Sequence, residues 1–81
     1  MNVRVRLFAA ARQAVGRDAV EMDLPPGATI ADLRGRLAEE FPQLSALVPH
    51  VLFAIDAEYA GDSTSIPAGA EVACIPPVSG G

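Results

Sequence analysis

Residues 29–42 read TIADLRGRLAEEFP, and the reading of that stretch decides the fold. Ile30, Leu33, Leu37 and Phe41 recur at helical spacing and fall on one stripe. Thr29, three residues ahead of Asp32, has the form of a capping box with Asp in the place usually held by Glu or Gln. Gly35 falls on the polar side between Arg34 and Arg36, at a cost of about 1 kcal/mol against alanine. Pro42 ends the helix. A single amphipathic helix hides its stripe only against another element, which the flanking segments have to supply.

On the N-terminal side, residues 2–8 alternate. Val3, Val5 and Leu7 point one way and Arg4, Arg6 and Phe8 the other, the pattern of a half-buried strand. Residues 9–15 (AAARQAV) are good helix formers for a turn or two, and Gly16-Arg17-Asp18 reads as a turn. Val20, Met22 and Leu24 alternate with Glu21 and Asp23 as a second strand, stopped by Pro25-Pro26-Gly27.

On the C-terminal side, residues 43–49 hold a short helical turn, and VLFAID at 51–56 reads as a buried strand. Asp56-Ala57-Glu58 turns the chain into a very short edge strand at Tyr59-Ala60. Ile66 is expected to anchor a turn-rich stretch to the core. Residues 71–75 form the last strand, with Val72 and Cys74 on one face and Ala73 and Ile75 on the other.

The order β-β-α-β-β-β predicts an α+β domain, a mixed sheet with one main helix packed across one face. The first and last strands lie side by side in its middle. That arrangement is the β-grasp, or ubiquitin-like, fold. It is expected over residues 1–76, with residues 77–81 as an extended tail ending in Gly-Gly.

Composition bounds what such a domain does. A chain of 81 residues makes one small domain. Ten acids against six bases give a net charge of −4, the wrong sign for holding nucleic acid by its phosphates. No run approaches the roughly 20 apolar residues of a membrane span. The strand-like start shows no signal peptide, so a cytoplasmic setting is expected. One cysteine, Cys74, excludes an internal disulfide and a cysteine-rich metal site. Arg4, Arg6, Arg12 and Arg17 all precede the first acid, Asp18. Two readings of this asymmetry stand: a mixed solvated surface, or an acidic face steered onto a basic partner.

Catalytic chemistry is not found in the body of the domain. His50 is the only histidine and has no Cys or second His to share a metal, so no metal site is expected. Cys74 shares a strand face with Val72 and reads as a small buried hydrophobe. Ser45, Ser63, Ser65 and Ser79 have no base at a recognisable spacing. Glu39 and Glu40 read as the solvated edge of the helix. By elimination, the domain is not an enzyme on its own.

The tail is different. Pro76-Pro77-Val78-Ser79-Gly80-Gly81 reaches about 20 Å at roughly 3.3 Å per extended residue. The prolines stiffen its base. Gly80 and Gly81 carry no side chain, so a terminal carboxylate fits a narrow channel in another protein. A carboxylate is a poor electrophile until activated, for instance by ATP as an acyl adenylate. Sulfide or a persulfide then gives a thiocarboxylate, and a lysine amine gives an isopeptide bond. The chain has no lysine of its own, which favours a carrier over a self-linking tag. Phe8 and Ile75 are expected beside the root of the arm on the helix-free face, as part of a patch that a partner covers.

The sequence resembles the MoaD family of sulfur carriers, the small subunits of molybdopterin synthase, nearly end to end. The similarity rests on VRVRLFAAARQAVG, on LPPGATIADLRGRLAEEFP, on AIDAEYA with IPAGAEVACIPPVSGG, and above all on the closing PPVSGG. The resemblance implies a non-catalytic, sulfur-donating subunit of a sulfurtransferase complex. An E1-like, ATP-using enzyme would adenylate Gly81, and a sulfurtransferase would leave a thiocarboxylate there. The synthase's large subunit would then receive the arm, and the sulfur would pass to cyclic pyranopterin monophosphate. Gly81 would carry the sulfur and Gly80 would allow threading. Phe8, Ile75, Pro76, Pro77 and Val78 would meet the partner. No tightly bound cofactor is implied, only the ATP of the activating enzyme. The chain departs from the family at Asp56, where Asn is usual, at Cys74-Ile75, where an aromatic pair is common, and at Ala70 in the GDEV motif. A protein modifier, or a sulfur carrier for thiamine or cysteine, shares the fold and the tip.

Overall fold

The computed structural model describes residues 1–77. The elements are β1 (Asn2–Leu7), α1 (Ala9–Val15), β2 (Ala19–Asp23), α2 (Ile30–Glu40), β3 (Leu52–Ile55), β4 (Glu58–Ala60) and β5 (Glu71–Ile75). Two 3-10 turns, Pro42–Leu44 and Val48–His50, join α2 to β3. The five strands form one sheet in the order β2-β1-β5-β3-β4. β1 pairs antiparallel with β2 and parallel with β5, and β5 pairs antiparallel with β3. First and last strands are therefore central neighbours, and the sheet is mixed with α2 on one face. This is the β-grasp architecture expected from the sequence.

Alternation decides the core. Val3, Val5 and Leu7 of β1, Val20 and Met22 of β2, Val72 and Cys74 of β5 and Phe53 of β3 are buried, together with Ile30, Leu33 and Leu37 of α2. Each such side chain contributes roughly 1.5–3 kcal/mol relative to exposure. Ile66 is buried in the same cluster, the anchor its position implied. The capping box forms as read: Thr29 N–H donates to Asp32 Oδ2 at 2.9 Å, and Asp32 N–H donates to Thr29 Oγ1 at 3.3 Å.

Two local expectations are corrected. Phe41 is the C-cap of α2 and only half-buried, so the buried stripe stops at Leu37. It still packs against the edge of the core, and its ring also lies under the Arg17 guanidinium, 5.6 Å from the centroid. The 51–56 run is not buried throughout. Leu52 pairs with Ile75, and Ala54 with Ala73 and Tyr59, which sets Leu52 and Ala54 on the helix-free face. Leu52 is 56% exposed there. An antiparallel strand with a helix on one side alternates its faces whether or not its composition does.

The charge asymmetry of the sequence does not survive folding at the sheet. Arg4 lies between Glu21 of β2 and Glu71 of β5 in register, and Arg6 Nη1 approaches Glu71 Oε1 at 3.9 Å. The leading arginines are thus interleaved with acids. No helix among the described residues is long and apolar enough to cross a membrane.

Candidate functional site

The parallel pairing of β1 and β5 creates the site. Leu7 stands opposite Cys74, so the two strands finish at the same end of the sheet. β1 runs on through Phe8, extended at φ −123° and ψ 153°, into the first turn of α1. β5 runs on through Ile75 into Pro76, which is buried, and Pro77, which is exposed. A hollow at this exit is lined by Phe8, Ala9, Ala10 and Gln13 on one side and by Ile75 and Pro77 on the other.

A second, more apolar hollow adjoins it on the helix-free face, lined by Phe8, Ala54, Ala57, Tyr59, Ala73 and Ile75. Phe8 and Ile75 belong to both. The large exposed hydrophobic side chains among the described residues are Phe8, Leu52 and Tyr59, at 40%, 56% and 72% exposure. Register puts Leu52 and Tyr59 on the same face as Ile75 and Ala54. The apolar side chains of this face therefore adjoin the point where the chain leaves the sheet. Beyond Phe8, charge resumes, with the Arg6 guanidinium 5.7 Å from the Phe8 ring centroid.

Sequence reading named Phe8, Ile75, Pro76 and Pro77, and the structure brings all four to the strand exit. It differs on Pro76, which is packed into the domain and leaves Pro77 as the exposed proline. Val78, Gly80 and Gly81, also named, lie outside the described residues. Leu52 and Tyr59 were missed. The two-residue turn at Asp56-Ala57, which sets Tyr59 opposite Ala54, is the signal that finds Tyr59, whereas Leu52 is placed only by its register with Ile75.

Elsewhere the chemistry is sparse. His50 is exposed in the second 3-10 turn. Cys74 is fully buried, and burial pushes its thiol up to about 11, against the opposing influence of the Arg34 charge. No group of three or more His, Cys, Asp or Glu that could hold a metal occurs among the described residues.

Comparison with known proteins adds to this geometry. The profile of the ThiS family matches residues 5–81. The molybdopterin synthase sulfur carrier subunit of Arabidopsis thaliana is 35% identical over 81 residues, covering all of this chain and 84% of the relative. That of Caenorhabditis briggsae is also 35% identical, over 83 residues, covering all of this chain and 99% of the relative. Among solved structures, SAMP1 of Haloferax volcanii superposes with a TM-score of 0.87 at 29% identity, over the whole of both chains. A complex of subunits 1 and 2 of the molybdopterin-converting factor of Helicobacter pylori contains a chain with a TM-score of 0.71 at 22% identity, again over the whole of both chains, a likeness of fold.

Proposed function

The chain belongs to the ThiS family, and from that premise we propose that it is the sulfur carrier subunit of molybdopterin synthase. The carboxylate of Gly81 attacks ATP on an E1-like activating enzyme, giving an acyl adenylate and releasing pyrophosphate. Sulfide-level sulfur supplied through a sulfurtransferase displaces AMP and leaves a thiocarboxylate. The large synthase subunit binds the apolar face and admits the tail, and the sulfur passes to cyclic pyranopterin monophosphate as its dithiolene is built. Gly80 allows the threading. Two carriers on a pair of large subunits make a heterotetramer. The carrier holds no cofactor of its own, the nucleotide belonging to the activating enzyme, and the setting is the cytoplasm.

The observation that carries this reading is the strand exit. Phe8, Ile75 and Pro77 meet where β5 ends, so a partner that covers the face sits at the point where the chain leaves the sheet. The Arabidopsis and Caenorhabditis relatives, at 35% identity, bear the carrier name. SAMP1, at 29%, is named for a modifier.

Deletion of Gly80 and Gly81 tests the reading. The expected result is an unchanged melting temperature with complete loss of molybdopterin formation in a reconstituted synthase. Retained synthesis would contradict it. Diglycine remnants on many cellular lysines would point instead to a modifier.

A further inference from the structure

Among the described residues, three that are not glycine hold a positive φ: Ala9 at 50°, Asp56 at 47° and Ala57 at 73°. The left-handed region crowds any Cβ, and glycine fits it without that cost. This chain uses glycine in that way at Gly16, Gly27 and Gly69, with φ of 82°, 84° and 78°. A Cβ at any of those three would meet nothing within 4 Å, so only the backbone demands glycine there.

Asp56 has compensation. Aspartate tolerates this region, and its Oδ1 accepts the Glu71 N–H at 3.2 Å. Ala57 occupies the second position of the same two-residue hairpin turn, where glycine is strongly preferred. Ala57 is exposed in the carrier, outside the buried core. Ala9 is likewise strained, at the junction of β1 and α1.

The two alanines share one location. Ala57 lines the hollow between Phe8 and Tyr59, and Ala9 lines the adjoining hollow beside Pro77. We propose that Ala57 and Ala9 are specificity-determining contacts of the docking face, whose methyl groups are held in strained backbone because the large synthase subunit packs on them. This inference rests on the carrier reading, and its partner is the protein that covers the apolar face. It adds that the fold is less stable than it could be at two points on the rim of that face, in exchange for closer packing of the partner.

The test measures two quantities that move in opposite directions. Ala57→Gly relieves the turn and is expected to raise the melting temperature by about 4 °C. It also removes one buried methyl from the interface, which is expected to weaken binding to the large subunit about fourfold by calorimetry. Ala9→Gly follows the same pattern. Ala57→Asn keeps a residue that tolerates the left-handed region but sets an amide in the hollow, and weakens binding about tenfold or more. Gly27→Ala, away from the face, lowers the melting temperature and leaves affinity unchanged. Ala57→Gly and Ala57→Asn binding as tightly as the wild type would overturn the inference. So would a fall in melting temperature for Ala57→Gly, measured on the carrier alone. Failure of the wild type itself to bind the large subunit would instead sink the carrier reading, and the inference with it.

Discussion

Leu7 stands opposite Cys74 in the parallel ladder of β1 and β5, and the residues that follow them, Phe8 and Ile75, line the same hollow. That pairing shapes one end of the helix-free face. It joins the end of the first strand to the end of the last, so the apolar surface and the outgoing chain arise at one place. The first prediction concerns that surface. Phe8→Asp and Ile75→Asp should each weaken binding to the large subunit by about thirtyfold or more, as expected for apolar anchors near the centre of an interface. Circular dichroism should show the fold intact, because both side chains lie outside the core cluster. Wild-type affinity in both variants would place the interface elsewhere.

Arg34 gives a prediction about stability. Its Nη1 donates to Val48 O at 2.6 Å and Val51 O at 2.9 Å, and its Nη2 donates to Asp62 Oδ1 at 2.9 Å. The guanidinium also lies 5.0 Å from the Phe53 ring centroid. One side chain thus ties α2 to the second 3-10 turn, to the loop before Ile66 and to the core. Arg34→Met should cost about 2 kcal/mol in urea denaturation, because two partly buried carbonyls lose charge-assisted partners. A loss below about 0.5 kcal/mol, the scale of an ordinary surface substitution, would show the clamp to be inert.

Thr29 caps the one long helix. Thr29→Ala removes the acceptor for Asp32 N–H and should cost about 1 kcal/mol, with helicity reduced but sulfur transfer at saturating partner unchanged. Denaturation and single-turnover assays check the two halves separately.

Cys74 sets an alkaline limit. Its thiol is held up at about 11 in the folded chain, against 9.0 for the unperturbed group. Between those values the unfolded chain loses the proton while the folded chain keeps it. Stability attributable to this group is therefore constant below about pH 9 and falls as pH rises towards 11, by a total on the order of 2 kcal/mol. Cys74→Ala should flatten that slope between pH 8 and 10.5 in urea titrations. A wild-type slope identical to that of Cys74→Ala would contradict the assignment. At neutral pH the thiol should resist alkylation until the domain unfolds.

Much of this was legible in the residues. The stripe of Ile30, Leu33 and Leu37, the Thr29–Asp32 box and the alternation of β1 and β5 each carry their own period, and together they leave one economical packing. Phe8 and Ile75 followed from the same alternation. Leu52 did not, because a run of apolar residues hides which of them face the helix until a register is known. Arg34 escaped for a different reason. Its partners are backbone carbonyls 14 and 17 residues away, which no local pattern announces. The strain at Ala57 is a property of φ, and a sequence that writes Asp-Ala where Asn-Gly is usual gives only half of it.

On the carrier reading, the working group is the carboxyl of Gly81. Intact-protein mass spectrometry tests it most directly, after incubation of the carrier with its activating enzyme, ATP and a sulfur donor. The account predicts a gain equal to the exchange of one oxygen for sulfur, located at Gly81, absent without ATP and absent when one ordinary residue is added after Gly81. No mass change with a competent activating enzyme, or the same gain in the extended variant without prior trimming, would contradict it.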